Sequence, residues 1–212
     1  MGLPNCSFDP TLPLILDASV VINLNATGVA AYIFDAIANP ISIVDVVTRE
    51  LEGGRVKGRT DGDLISFLFN SGRAQSVSLT AECEENFLTM VSGSGASTLD
   101  DGEAATIAWA VAYGGVAVID EKKGTAFCNA RFPSVPVITT IDLFRHESVL
   151  ANLGPNISDA VYNALTIARM RVQDRDIQWV IDTIGTNRVA NCHSLPLSVR
   201  RAHLKVETMI DR

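Results

Sequence analysis

The chain has 212 residues, of which 47% are hydrophobic and 19% are charged, and its formal net charge is −7. This composition supplies a buried core and carries no signature of intrinsic disorder. The negative charge argues against a protein that binds nucleic acid through bulk positive charge. Residues 1–145 hold nine Lys and Arg against seventeen Asp and Glu, so the carboxylates of this part need a physical reason.

Strands and helices are predicted to alternate along the first two thirds of the chain. Short apolar or β-branched runs predict strands, and apolar residues at helical spacing predict helices. The predicted elements are, in chain order, a strand at 14–16, a helix within 27–40, a strand at 41–44, helices at 46–52 and 62–72, a strand at 74–80, helices at 81–91 and 104–113, a strand at 116–119, a helix at 124–132 and a strand at 135–140. This alternation predicts an α/β fold with a parallel sheet wrapped by helices.

Capping residues predict where several helices begin and end. Asp45 is predicted to cap the helix that follows the second strand, and Gly53 is predicted to end it. Asp100 and Glu103 have the spacing of a capping box at the start of an Ala-rich helix, which Gly114 is predicted to end. A Gly/Ser-rich connector precedes this helix at residues 92–95.

Only helices are predicted after about residue 142. From there to the C-terminus, apolar residues recur at helical spacing and no stretch has the pattern of a strand. The predicted organisation is therefore an α/β domain at 1–145 and a C-terminal helical extension at 146–212, packed on the same core.

The chain is predicted to be cytoplasmic. Its first residues have no basic stretch followed by a long apolar segment, so a signal peptide is not expected, and no apolar run reaches the roughly 18 residues that a membrane span requires. The cysteines are scattered, without a Cys-x-x-Cys pair or a histidine at zinc spacing, which indicates reduced thiols.

Four carboxylates are predicted to meet at one edge of the sheet. Asp17 and Asp120 follow predicted strands, and sites in open α/β sheets form outside the carboxyl ends of strands. Glu50 and Glu103 lie on helices that could reach the same edge. Carboxylates gathered in one pocket repel one another unless a cation lies among them. Oxygen-only ligands suit Mg²⁺ or Mn²⁺, and such a cation can activate water and neutralise charge on a phosphodiester.

Each of these acids also has a purely structural explanation. Asp100 and Glu103 could serve only as helix caps, Glu50 could be a solvated charge, and Asp120 could be a turn residue. Asp17 is hardest to explain in this way. A carboxylate directly after a buried strand is costly unless it is paired or coordinated.

The ordered set of acids resembles PIN-domain nucleases. The stretch "LILDASVVINL", an apolar strand ending in Asp and followed two residues later by Ser, resembles the start of that family, and "VVTREL" matches its helix with a Glu. The stretch "LDDGEAATIAWAVAYGGVAVIDEKKG" resembles a motif of a PIN-like branch related to VapC-type bacterial toxins. The resemblance covers about residues 13–142. It implies a PIN-like three-layer α/β/α sandwich and a Mg²⁺- or Mn²⁺-dependent ribonuclease, with the nuclease domain at 1–145.

The resemblance also implies roles for individual residues. The matching catalytic acids are Asp17, Glu50, Glu103 and Asp120. Three of them, Asp17, Glu103 and Asp120, are expected to hold the metal, while Glu50 completes its shell directly or through water. Ser19 matches the hydroxyl residue that supports the first acid.

Two positions of this match have an alternative. The family often has Ser or Thr near the last acid, whereas this chain has "VIDE", so Glu121 could replace Asp120. At the start of the Ala-rich helix Asp100, Asp101 and Glu103 compete for one role; Glu103 aligns best, and Asp101 is the second choice.

The implied function is an endoribonuclease, as the toxin of a toxin–antitoxin pair or a related defence nuclease. The implied partners are an RNA substrate, a cognate antitoxin protein and a second copy of the chain, with no membrane. Arg55, Lys57 and Arg59 could contact RNA phosphates or could form an ordinary solvated loop. A PIN-like fold that has lost catalysis and binds protein partners is the main alternative, and a metal-dependent phosphohydrolase of small substrates is a third.

Overall fold

The computed structural model describes residues 8–92 and 98–210, without the side chains of Lys57 and of residues 204–210. Most of the predicted Gly/Ser connector lies outside the described residues. The described strands are β1 (Leu14–Leu16), β2 (Ile41–Val44), β3 (Gln75–Val77), β4 (Val116–Val118) and β5 (Val137–Ile138). The described helices are α1 (Ala18–Ala26), α2 (Ala30–Ala36), α3 (Asp45–Gly53), α4 (Asp61–Asn70), α5 (Ala81–Val91), α6 (Asp101–Tyr113), α7 (Lys122–Arg131), α8 (Thr140–Phe144), α9 (Glu147–Leu153), α10 (Ile157–Thr166), α11 (Ile177–Ile184) and α12 (Leu197–Ile210).

The strands form one parallel sheet in the order β3-β2-β1-β4-β5. The predicted fold class, a central parallel sheet flanked by helices, is confirmed. The chain order reverses at β1, where Leu16 lies opposite Val118 of β4 and the Asp17 N–H donates to the Val118 carbonyl at 3.2 Å. The carboxyl ends of β1 and β4 therefore lie side by side at the switch point, where open α/β sheets bind ligands.

The core covers both faces of the central strands. Every residue of β1, β2 and β4 is buried, as parallel strands between helices require. Ile15 and Ala117 belong to a cluster that also contains α6 side chains. In α6, Ala104 and Ala108 have no exposed surface, so the Ala-rich sequence reflects close packing on the sheet as well as helix propensity.

The described chain divides into two compact units. Residues 8–22 and 37–140 contain the sheet and helices α3 to α7, while residues 23–36 and 141–210 are helical. Within the helical unit, Arg145 pairs with the fully buried Asp176 at 3.3 Å, and Arg175 pairs with Asp142 at 3.0 Å. The predicted boundary at residue 145 and the packing of the extension on the same core stay predictions.

Several local predictions differ from the structure; the strand predicted at 74–80, for example, spans Gln75–Val77. Helix α1 was not predicted, because only Asp17 separates it from β1. Asp45 is the first residue of α3 and does not cap it; its Oδ1 instead accepts the Leu79 N–H at 3.2 Å, a tertiary contact that the local sequence cannot reveal. Helix α7 begins two residues earlier than predicted, at Lys122.

No single described helix is long and apolar enough to cross a membrane. The bent pair of α1 and α2 meets the requirement of length and composition only jointly, with 115° between the two helices. In α1, Val20, Val21 and Leu24 are fully buried, as in the core helices of globular proteins.

Candidate functional site

Three carboxylates meet beside Gly102, in the first turn of α6. A β-carbon placed on this glycine would lie 3.0 Å from Glu50 Oε2, 3.2 Å from Asp17 Oδ1 and 3.7 Å from Asp100 Oδ1. Glu50 comes from α3, Asp17 follows β1, and Asp100 precedes α6. The sheet and two helix ends thus bring together acids that are far apart in the sequence.

Asp17 is a buried carboxylate with a dedicated donor. Only 4% of the residue is exposed, and its Oδ2 accepts hydrogen bonds from the Ser19 hydroxyl at 2.6 Å and the Ser19 N–H at 3.2 Å. Desolvation raises the pKa of Asp17, the Ser19 hydroxyl offsets part of the rise, and the charge of Asp100 adds to it. The hydrogen bonds fix the carboxylate in place, while burial among acids makes its charge costly.

Glu103 is the most perturbed carboxyl of the group. The residue is 3% exposed, and its buried Oε1 has no hydrogen-bond partner. Desolvation raises the pKa of Glu103 to about 8, with further increases from the charges of Asp100, Asp17 and Glu121. A buried carboxyl oxygen without a donor is rare in folded proteins and calls for an explanation.

Asp100 both caps α6 and belongs to the acidic group. Its Oδ1 accepts the Glu103 N–H at 2.8 Å, which confirms it as the cap of α6. Its charge also raises the pKa of Asp17, Glu50 and Glu103. The cap is therefore also part of the acidic group, whereas from the sequence capping was its favoured role and Glu103 was preferred as the ligand at this helix start.

Glu50 lies at the exposed side of this group. Although the residue is exposed, desolvation of its carboxyl raises its pKa, and the charges of Asp17 and Asp100 raise it further. The guanidinium of Arg59 acts in the opposite direction. The exposed Asp101 also contributes to the raised pKa of Glu50, so Asp101 lies on the solvent side of the same group.

Asp120 is fixed at the carboxyl end of β4 by Thr140. The Thr140 N–H donates to Asp120 Oδ1 at 2.8 Å, and the Thr140 hydroxyl donates to Oδ2 at 2.5 Å. Thr140 follows β5, which pairs with β4. Thr140 was not predicted from the sequence; the signal available was a hydroxyl side chain just after a strand, whereas Ser19 was identified through the family resemblance.

Replacing Thr140 by valine is expected to lower the free energy of unfolding by about 1.5–3 kcal/mol, because a buried carboxylate loses a donor. Thr140→Ser should retain most of the stability. Thr106→Val is the matched control, since Thr106 is fully buried and its hydroxyl has no hydrogen-bond partner. Urea unfolding measures all three variants. Equal losses in Thr140→Val and Thr106→Val would contradict the assigned role of the hydroxyl.

The basic loop is held by acidic neighbours. Arg55 pairs with Asp63 at 2.9 Å and Arg59 with the buried Asp61 at 2.8 Å, while the side chain of Lys57 lies outside the described residues. Between the two described side chains of this loop, Arg59 is the one whose charge lowers the pKa of Glu50.

Within the described residues, no three His, Cys, Asp or Glu side chains stand in an arrangement that could hold a metal ion. The chemistry of the group nevertheless suits a hard divalent cation. Its donors are carboxylate oxygens, burial and mutual repulsion raise the pKa of Asp17 and Glu103, and Glu103 Oε1 lacks a donor. A cation would compensate for each of these costs.

A family model and a solved structure match parts of this chain. A family model described as a PIN domain matches residues 13–186. A crystal structure of VapBC2 from Rickettsia felis, bound to a DNA fragment from their promoter, aligns with a TM-score of 0.45 and 17% identity, covering 60% of this chain and 98% of that chain. The comparison with curated proteins gives no significant match.

Proposed function

Because the chain belongs to the PIN-domain family, we propose that it is a nuclease that hydrolyses RNA phosphodiesters with the help of Mg²⁺ or Mn²⁺. The observation that carries the proposal is the convergence of the Asp17 and Glu50 carboxylates on Gly102, next to the buried Glu103. Gathering carboxylates of like charge, two of them buried, costs folding free energy. A cation bound among these carboxylates would offset the cost.

In this proposal Asp17, Glu103 and Asp120 hold the cation, and Glu50 completes the site directly or through water. The bound cation would activate water and neutralise charge that develops on the phosphate. Ser19 holds the Asp17 carboxylate in one orientation. Glu103 has to release its proton for binding, because only the ionised carboxylate is a strong ligand.

The identity of the fourth acid is part of the proposal. Both oxygens of Asp120 accept from Thr140, yet an ionised carboxylate retains lone pairs for a cation. Glu121 remains the alternative, since its charge raises the pKa of Glu103. Arg59 would meet an RNA phosphate beside Glu50, where the substrate displaces solvent.

The resemblance of residues 99–124 to a PIN-like branch related to VapC-type toxins supports a finer proposal. The chain would act as the toxin of a toxin–antitoxin pair or as a related defence nuclease in the cytoplasm. An antitoxin protein and a second copy of the chain would be its partners.

The test is cleavage of end-labelled RNA by the purified protein with Mn²⁺, with Mg²⁺ and with EDTA. We expect endonucleolytic products with either cation and none with EDTA. The same reactions with labelled single-stranded DNA establish whether RNA is preferred. Intact RNA under all conditions, with no Mn²⁺ effect on melting temperature, would favour the non-catalytic binding module. Turnover of a chromogenic phosphomonoester without RNA cleavage would favour the small-substrate phosphohydrolase.

A further inference from the structure

Two glycines inside helices border the carboxylates. Gly102 lies in the first turn of α6, and Gly124 lies in the first turn of α7. Neither has a positive φ, so the backbone does not require glycine at these positions. Glycine in a helix costs about 1 kcal/mol relative to alanine, and another constraint must keep the side chains absent.

The space beside each glycine is filled by carboxylate oxygens. A β-carbon on Gly124 would lie 2.6 Å from Glu103 Oε1 and 3.0 Å from its Cδ, which is closer than van der Waals contact. A β-carbon on Gly102 would meet Glu50 Oε2 at 3.0 Å and Asp17 Oδ1 at 3.2 Å. Gly53, also helical, would meet nothing within 4 Å. Gly62, in the first turn of α4, would also meet a close neighbour, Arg55 Nε at 2.8 Å. What distinguishes Gly102 and Gly124 is that their nearest neighbours are carboxylate oxygens.

We propose that Gly124 and Gly102 are positioning residues, whose missing side chains set where the carboxylates of Glu103, Glu50 and Asp17 stand. This inference rests on the proposed function, in which these carboxylates share a cation. Gly124 acts on Glu103, the buried acid whose Oε1 has no donor. Gly102 acts on the two acids from α3 and from the end of β1.

Packing of the fold is the competing reason for a glycine at 124. The Gly124 β-carbon would also lie 3.2 Å from Ile119 Cγ2, a contact that a small shift relieves. The nearer atom, Glu103 Oε1, is the end of a flexible side chain and gives way first. Alanine at 124 should therefore displace the Glu103 carboxyl at little cost in stability, and the gain in helix propensity offsets part of that cost.

The experiment measures Mn²⁺ binding by titration calorimetry and the melting temperature of the metal-free full chain. We expect Gly124→Ala to weaken Mn²⁺ binding by about tenfold or more, with a metal-free melting temperature close to that of the unmodified protein. Gly102→Ala should weaken binding as well, by a smaller factor. The control Gly53→Ala should bind Mn²⁺ as the unmodified protein does.

A compensating substitution separates positioning from general damage. Glu103→Asp shortens the side chain by one methylene and makes room for a β-carbon at 124. The double variant Gly124→Ala/Glu103→Asp should bind Mn²⁺ more tightly than Gly124→Ala alone, a rescue that simple loss of packing would not give.

Three results would overturn the inference. Unchanged Mn²⁺ binding in Gly124→Ala, with binding by the unmodified protein intact, would remove the positioning role and leave the proposed nuclease standing. Loss of the cooperative melting transition in metal-free Gly124→Ala would make the glycine a packing requirement. Absence of Mn²⁺ binding by the unmodified protein would remove the proposed function together with this inference.

Discussion

The Asp17→Asn variant is expected to lose at least about a thousandfold in RNA cleavage rate, since metal-held charge is worth several kcal/mol in such reactions. The substitution keeps the size of the side chain and an oxygen that can accept from Ser19. It removes the negative charge that a cation needs. The variant should also lose the rise in melting temperature that Mn²⁺ produces in the unmodified protein.

The same substitution should not unfold the metal-free protein. Asp17 is 4% exposed and its pKa is raised chiefly by desolvation, so a neutral amide relieves a destabilising charge. We expect an equal or higher metal-free melting temperature. Asp63→Asn is the control, because Asp63 is exposed and pairs with Arg55 in the basic loop. Cleavage by Asp17→Asn at the rate of this control would refute the metal-holding role.

The strand–helix alternation was predictable because β1, β2, β4 and β5 lie in short apolar or β-branched runs, while β3 lies in a stretch with the alternation of a strand. β1 is fully buried on both faces, and a charge directly after such a run is conspicuous in the sequence. Asp17 could be singled out for that reason. The strand order could not be predicted from the sequence. The pairing of β1 with β2 and β4 depends on contacts between residues far apart in the chain.

The parts of the site that escaped prediction depend on tertiary contacts. Thr140 reaches Asp120 only because β5 pairs with β4. Gly124 looks like an ordinary helix residue until the fold places it against Glu103. Local sequence rules identify acids and helix caps. Contacts such as that between Gly124 and Glu103 arise only when the chain packs.

Asp45 is a residue for which the sequence predicts a helix cap that the structure does not contain. Its position before a helix satisfies the rule for a cap, yet its carboxylate accepts from Leu79, which follows β3. Asp100 satisfies the same rule and does cap its helix. The two residues differ in the tertiary donors within reach, which one sequence does not reveal.

The pH dependence of stability should reveal the unusual Glu103 carboxyl directly. The pKa of Glu103 is raised from 4.5 to about 8 in the folded chain, mainly by desolvation. Between these values the folded protein retains a proton that the unfolded chain has lost. The contribution of Glu103 to stability is therefore fully present below pH 4.5 and is lost as the pH rises through about 8.

Replacing Glu103 by glutamine removes this titration. We expect metal-free Glu103→Gln to exceed the unmodified protein in free energy of unfolding by a margin that grows on the order of 2 kcal/mol from pH 5 to pH 8, allowing for solvent screening. Urea unfolding at several pH values in EDTA measures the difference, and Glu52→Gln, on the exposed side of α3, is the control. A margin that stays constant with pH would contradict the raised pKa. Added Mn²⁺ should reverse the order at pH 8, because the cation stabilises only the chain that keeps the ionised carboxylate.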